Sequence, residues 1–256
     1  MAIWAIEIRG RRLAVIGARR FACNVHAGPT SLSSVAAKEY PQEDYSRPAD
    51  AIEVILVRHG ASQAAVEGQP FELLEGQADP SLSPAGERQA QAVATHLRHE
   101  PLSALYITPL RRTAQTAAPL AALTGLEPIV VPELREVHLG ELDGGAFRIA
   151  VRRHDPIVAE VFRRQRWDVI PGAETMEDFA ARTRAGLARM VEGLQPGATI
   201  AAVIHGGVIG ELCRQASDSR PFAFVHADNG SLSRLVLLAE GHWWVRSFNE
   251  GAHVRV

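Results

Sequence analysis

The chain has 256 residues, 46% of them hydrophobic and 22% charged, enough to bury a full core without help from disulfides or metal. Its formal net charge of -2 supplies no field for nucleic acid or an anionic membrane surface, and no apolar stretch reaches the length of a membrane span. The expected partner is a small molecule.

The first 50 residues differ in character from the rest. Arg9, Arg11, Arg12, Arg19 and Arg20 bracket a short apolar run, Leu13 to Ala18, too brief for the core of an export signal even though Arg11-Arg12 resembles the start of a twin-arginine leader. From Ala27 to Asp50 the chain is rich in Ser, Pro, Glu and Ala without a period, which implies a flexible N-terminal extension. Removing residues 1 to 48 is therefore expected to leave activity and stability nearly unchanged. Lys38 is the only lysine among 27 basic residues, and the default for any one arginine is a solvated surface position. Cys23 and Cys213 form neither a CxxC pair nor a zinc spacing, which fits a reducing cytoplasm.

From residue 52 onward, strand and helix patterns alternate. Ile52 to Val57 is a short run rich in Val and Ile, the mark of a strand buried on both faces, and it ends in Arg58-His59-Gly60. Ser83-Pro84 is an N-cap followed by Pro at the first helical position, and Ala90, Val93, Ala94 and Leu97 space one apolar helix face. Ala104 to Thr108 predicts a second buried strand, and a helix should follow from Pro109 towards Gly125, bent at Pro119. Ile129 to Val131 predicts a third strand. A helical insertion is expected from about Ile149 to Trp167, and Thr175 with Asp178 reads as the cap of a helix reaching Glu192. Thr199 to Ile204 repeats the buried-strand pattern and ends in His205-Gly206-Gly207, with a helix from about Val208 to Ala216. Ser231 to Leu238 and Trp243 to Phe248 suggest a hairpin at the sheet edge, joined through Glu240-Gly241. The whole implies an α/β fold, a three-layer αβα sandwich with a mostly parallel central sheet and a small helical insertion over the site.

In such a sheet, ligands bind past the carboxyl ends of the strands. Arg58, His59, Arg112, Glu136 and His205 all follow strands, and their common placement is harder to dismiss than any one alone. Singly, each has a plain alternative: a capped or solvated histidine, a wet helix face for Arg112 beside Arg111, a surface carboxylate for Glu136 beside Arg135. Together, two arginines and two histidines suit a phosphoryl group. Guanidinium forks onto two oxygens and keeps its charge, while a neutral imidazole held in line can attack phosphorus. Gly206-Gly207 would let the amides of a helix N-terminus approach the same group.

Several ordered motifs carry a family resemblance. Val57-Arg58-His59-Gly60, the stretch Thr108-Pro109-Leu110-Arg111-Arg112-Thr113-Ala114-Gln115-Thr116-Ala117, the segment Leu134-Arg135-Glu136-Val137-His138-Leu139-Gly140, and His205-Gly206-Gly207 resemble the histidine phosphatase superfamily, also called phosphoglycerate mutase-like. Gly76 to Leu97, Gly172-Ala173-Glu174 and Asp228-Asn229-Gly230-Ser231 add to the likeness, which runs from about residue 52 to the C-terminus and makes residues 51–256 one catalytic domain. The resemblance implies that His59 is the phosphorylated nucleophile, that Arg58, Arg112 and His205 complete the phosphate pocket, and that Glu136 is general acid and base. Ala61 and Ala65 stand where the family often has Glu or Gln and Asn, whereas Ser62 remains as a candidate substrate contact. Arg163, Arg164 and Arg166 resemble a mutase arginine stretch and are candidates for holding a second anionic group.

The expected activity is a metal-independent phosphomonoester hydrolase acting on a small phosphorylated metabolite through a phosphohistidine, with no cofactor. A cofactor-dependent mutase of the phosphoglycerate type is the alternative, although Pro171 and Gly172-Ala173-Glu174 leave little room for the long segment such enzymes carry there. A non-catalytic module that binds phosphorylated ligands is the alternative of another class. A metal hydrolase is disfavoured because no HExxH or paired HxH spacing occurs and arginines adjoin the site. A serine hydrolase is disfavoured because His205-Gly206-Gly207 lies downstream of Ser62 rather than upstream. Oligomeric state is left open, a homodimer among the options.

Overall fold

The computed structural model describes residues 39–238 and 241–254. The elements run in the order β1 (Ile52–Arg58), a short hairpin of β2 (Leu73–Leu74) and β3 (Gln77–Ala78), α1 (Pro84–Leu97), β4 (Leu102–Ile107), α2 (Arg111–Thr124), β5 (Ile129–Val130), α3 (Ala146–Arg152) and α4 (Pro156–Arg164). They continue with α5 (Met176–Val191), β6 (Thr199–Ile204), α6 (Gly206–Ser217), β7 (Leu232–Leu237) and β8 (Trp243–Glu250). Six strands form one sheet in the order β5-β4-β6-β1-β7-β8. The pairs β5·β4, β4·β6 and β6·β1 are parallel, and the edge hairpin β7·β8 joins β1 antiparallel.

Strand periodicity explains the layers. Val54 and Leu56 of β1, with Ile200, Ala202 and Ile204 of β6, face a core shared with Leu187 and Met190 of α5 and with Val208, Ile209 and Leu212 of α6. The intervening Ile55, Val57, Ala201 and Val203 face Val93, Ala94 and Leu97 of α1 and Ala117 and Leu120 of α2. Successive side chains point to opposite faces, so a strand with helices on both sides must be apolar throughout; β6 is buried along its entire length. Each fully buried Ile55, Leu56, Ile200 and Ile204 contributes about 1.5–3 kcal/mol of burial. This is the expected mostly parallel α/β sandwich.

Local chemistry moves some boundaries. Helix α2 begins at Arg111 rather than Pro109, because Leu110 is still extended (ψ 129°) and the Thr113 hydroxyl donates to the carbonyl of Leu110 at 2.8 Å. Helix α2 continues through Pro119 to Thr124. The helical insertion expected from about Ile149 to Trp167 forms as two helices, α3 and α4. Asp155-Pro156 divides them: Oδ1 of Asp155 accepts from the Ile157 amide at 2.9 Å and Pro156 occupies the first helical position, a start signal that also ends whatever precedes it. The edge hairpin forms as expected, with Glu240 of its connection outside the described residues.

Residues 1–38, which carry the arginine cluster, the Leu13–Ala18 run and Cys23, also lie outside them. The compact unit that holds the sheet begins at Tyr45, within the stretch expected to be flexible up to Asp50. Arg47 donates to Thr199 Oγ1 at 2.9 Å and to the Gly197 carbonyl at 2.8 Å, and it pairs with Glu53 at 3.3 Å. The guanidinium of Arg246 lies 4.1 Å from the centre of the Tyr45 ring. A cut after residue 48 therefore removes a side chain that ties the start of β1 to that of β6. Among the described residues, no helix is long and apolar enough to cross a membrane.

Candidate active site

The two His-Gly motifs lie side by side because β1 and β6 are parallel neighbours in register. Arg58 is opposite Ile204, and the His59 amide donates to the Ile204 carbonyl at 2.9 Å. The imidazoles of His59 and His205 consequently stand 5.2 Å apart, centre to centre. Both are buried, as is Arg112.

The loop after His59 is held from several sides. The Gly60 amide donates to Thr116 Oγ1 at 3.0 Å, the Ala61 amide to Gln89 Oε1 at 2.8 Å, and Asn229 Nδ2 to the His59 carbonyl at 2.9 Å. A Cβ on Gly60 would stand 2.5 Å from the Gly86 carbonyl oxygen of α1, so the close approach of loop and helix needs glycine.

Arg112 bridges the two imidazoles. Its Nε is 3.3 Å from Nε2 of His59, an Nη nitrogen is 3.3 Å from Nδ1 of His205, and the other donates to the Ala78 carbonyl at 2.8 Å. Guanidinium only donates, so both contacted ring nitrogens present lone pairs. The proton of His59 is then on Nδ1, facing the Gly60 carbonyl at 2.7 Å. That of His205 is on Nε2, facing Thr108 Oγ1 at 2.9 Å.

Electrostatics agree with neutral rings. His59 is held well below the ordinary imidazole range, first by burial and then by Arg112 and Arg58, against the hydrogen bond to Gly60. His205 is held well below it too, by burial first and then by Arg112, His59 and Arg58. Burial brings Arg112 down to about 10 despite the opposing pull of Glu136, and it lowers Arg58 against the pull of Glu136 and Asp228. Arg58 donates to the Ala227 carbonyl, while its Nε is buried without a hydrogen-bond partner. Two guanidinium groups crowded against two neutral imidazoles in this way favour an anion.

Glu136 follows β5 and a short 3-10 turn at Pro132–Leu134. Its carboxylate accepts from the Val137 amide at 3.0 Å and from the Gly207 amide, in the first turn of α6, at 3.2 Å. Its backbone is fixed by Arg182 of α5, which donates to the carbonyls of Glu133, Arg135 and Glu136 at 2.8, 2.7 and 2.8 Å and pairs with Glu174 at 2.6 Å. Sequence patterns missed Arg182, whose partners lie on a different part of the chain. Its one legible signal is Glu174, in the Gly172-Ala173-Glu174 segment.

The structure does not bring every candidate together. Arg163 and Arg164 both pair with Glu160, and Arg166 pairs with Asp168 and Glu177. Their charge is already answered, and among the described residues no contact joins them to Arg58, His59, Arg112 or His205. Ser62 is at the site's edge, where its Oγ accepts from Arg148 at 2.7 Å. Arg148 itself was not anticipated. Among the described residues, no group of three or more His, Cys, Asp or Glu side chains is placed to hold a metal ion.

Comparison with known proteins gives a consistent result. A family model described as Histidine phosphatase superfamily (branch 1) matches residues 54–251. Phosphoglycerate mutase-like protein 4 of Arabidopsis thaliana is 34% identical over 178 residues, 68% of this chain and 75% of that protein. The metal-independent phosphoserine phosphatase of the same plant is 28% identical over 218 residues, 83% of this chain and 87% of that protein. Among solved structures, a mycobacterial glucosyl-3-phosphoglycerate phosphatase aligns with a TM-score of 0.65 at 27% identity, covering 78% of this chain and 99% of that one.

Proposed function

The chain belongs to the histidine phosphatase superfamily, branch 1, and from that premise we propose that it hydrolyses phosphomonoesters of small metabolites without a metal, through a phosphohistidine on His59. The observation that carries this is the position of Arg112 between two neutral imidazoles. A nucleophile needs a lone pair, and the Nδ1 contact with Gly60 leaves that lone pair on Nε2.

In the first step Nε2 of His59 bonds to phosphorus, the bond from phosphorus to the alcohol oxygen breaks, and Glu136 gives its proton to the departing oxygen. Arg58 and Arg112 hold the equatorial oxygens, where charge accumulates in a loose transition state. The incoming dianion reverses the local field, so His205 takes a proton from solvent on Nδ1, donates to the same oxygens, and gives that proton back when phosphate leaves. In the second step a water oxygen bonds to phosphorus while Glu136 takes its proton. The phosphorus–nitrogen bond then breaks, returning the pair to Nε2 and releasing inorganic phosphate. A cytoplasmic location suits Cys213, a buried free thiol pushed up to about 12 by burial and thus kept unreactive.

The mutase-like name of one relative supports a second reading, transfer between hydroxyls of a phosphorylated sugar acid. One experiment addresses both. Purified protein is assayed with p-nitrophenyl phosphate in EDTA, and with 3-phosphoglycerate plus a bisphosphate primer, beside His59→Ala. Chelator-insensitive release of phosphate, lost in His59→Ala, with an acid-labile phosphoenzyme in the wild type, is expected. Isomerisation of 3-phosphoglycerate faster than hydrolysis would establish the mutase instead. No turnover and no phosphoenzyme across a broad panel would leave a binding module.

A further inference from the structure

Arg148 lies twelve positions after Glu136, on the first of the two insertion helices. Three contacts fix it. One Nη donates to Ser62 Oγ at 2.7 Å, the other to the Gln63 carbonyl at 2.9 Å, and the guanidinium carbon is 5.7 Å from the centre of the Phe71 ring. Ser62 and Gln63 belong to the loop that begins at His59-Gly60, so Arg148 is anchored to the same segment as the proposed nucleophile.

Two small residues make that anchoring feasible. Gly145, at φ 98°, sits so close to the loop that a Cβ there would be 2.9 Å from the Phe71 ring and 3.2 Å from the Cβ of Ala65. Ala65 is the position where the resemblance leads one to expect Asn. With Ala there and glycine opposite, the start of α3 closes on the loop and carries Arg148, one turn on, to the mouth of the phosphate pocket.

The charge of Arg148 is unanswered. Its two hydrogen-bond acceptors are a hydroxyl and a carbonyl, both neutral, and among the described residues no carboxylate is in ion-pair contact with it. Arg153, nearby on the chain, is paired with Glu67, and Arg163, Arg164 and Arg166 are paired as described. Arg148 instead stands near Arg58 and Arg112, more exposed than either. Partial desolvation of its guanidinium and repulsion from Arg58 hold it below its ordinary value, and it in turn repels Arg112 and His59. A guanidinium kept near two others without a carboxylate, with N–H groups to spare, is set to receive an anion. The phosphoryl group is already served by Arg58, Arg112 and the imidazoles. Arg148, solvent-accessible and held at the outer edge by Ser62, is placed for something beyond it.

We propose that Arg148, steadied by Ser62, is a second anion-binding point at the mouth of the pocket and selects phosphomonoesters whose alcohol portion bears another oxyanion, a carboxylate or a second phosphate. This rests on the phosphomonoesterase reading above and assigns to Arg148 the part that the sequence offered to Arg163, Arg164 and Arg166.

The test compares wild type with Arg148→Ala and Arg148→Gln, the latter keeping an amide donor for the loop, with melting curves as a check on folding. Substrates are p-nitrophenyl phosphate, O-phosphoserine with its carboxylate, and fructose 1,6-bisphosphate with its second phosphate. The kcat/KM of the doubly anionic substrates relative to p-nitrophenyl phosphate should fall about tenfold in both variants, the loss of one charge-assisted hydrogen bond. The substrate whose ratio falls identifies which oxyanion is held. Binding of 2-phosphoglycolate relative to inorganic phosphate, by calorimetry, supplies a readout independent of turnover. If the wild type hydrolyses none of the esters, the phosphatase reading fails while this binding ratio still decides the role of Arg148. A fall of about threefold or more in either ratio supports the proposal, and a smaller fall or a rise in both overturns it.

Discussion

Gly207 and Glu136 face each other so closely that a Cβ on Gly207 would stand 2.4 Å from Oε1 of Glu136. The helix that brings Gly206-Gly207 to the pocket thereby also fixes the carboxylate, through the Gly207 amide at 3.2 Å. Gly207→Ala should displace Glu136 while leaving the imidazoles in place. The expected result is a loss of roughly 10–100-fold in kcat for an alkyl phosphate and a smaller one for p-nitrophenyl phosphate, whose leaving group needs little protonation. Equal losses on both esters would remove Glu136 from the proton-donor role.

Arg112→Lys should be nearly as damaging as Arg112→Ala. Lysine keeps a charge but has no fork to span His59, His205 and the Ala78 carbonyl at once. Losing a preorganised donor of this kind costs about 10²–10³ in kcat. Steady-state kinetics with circular dichroism would show it, and a lysine variant within a few-fold of wild type would mean that charge alone suffices.

The neutral imidazoles make stability depend on pH. His59 and His205 are held well below 6.5 when folded, whereas unfolded imidazoles titrate at about 6.5. Below that pH the unfolded chain binds more protons, so stability falls as pH drops from about 7.5 to 5.5. Melting temperatures across this window should decline in the wild type and decline less in a His59→Ala/His205→Ala double variant. His253, also lowered, chiefly by burial, acts in the same direction and remains in both proteins. Parallel slopes would show that the two pocket rings are not the source.

The N-terminal boundary can be tested with two truncations. A protein starting at Tyr45 retains Arg47, and one starting at Ala49 loses its contacts with Gly197, Thr199 and Glu53. The shorter protein should be less stable by about 1–2 kcal/mol, seen as a lower midpoint in urea. Identical midpoints would mean that the Arg47 contacts add nothing.

Sequence was most legible where local pattern and position coincide. The Val- and Ile-rich runs before Arg58 and His205 could only be strands covered on both faces, and such strands put their ends in one crevice. Asp155-Pro156 is equally readable as a helix start, and it divides the expected helical insertion into two. The surroundings of Arg163, Arg164 and Arg166 were not legible because composition does not say which carboxylate a guanidinium will meet; in the fold they meet Glu160, Asp168 and Glu177. Arg148, and Arg182 apart from its nearby partner Glu174, were hidden for the converse reason. Their partners are 85 and 86 residues away for Arg148, and 46 to 49 residues away for the carbonyls held by Arg182, distances that only folding closes.

The register of β1 against β6 has a consequence for how such an enzyme can diverge. His59 and His205 are spaced by main-chain hydrogen bonds at the middle of the sheet, and the groups at the mouth come from the segment after Gly60 and from the insertion. On the proposed reading, mutations in those outer segments would exchange one metabolite for another while the two imidazoles keep their spacing. Catalytic competence would thus be inherited with the strands, and taste in substrates acquired at the rim.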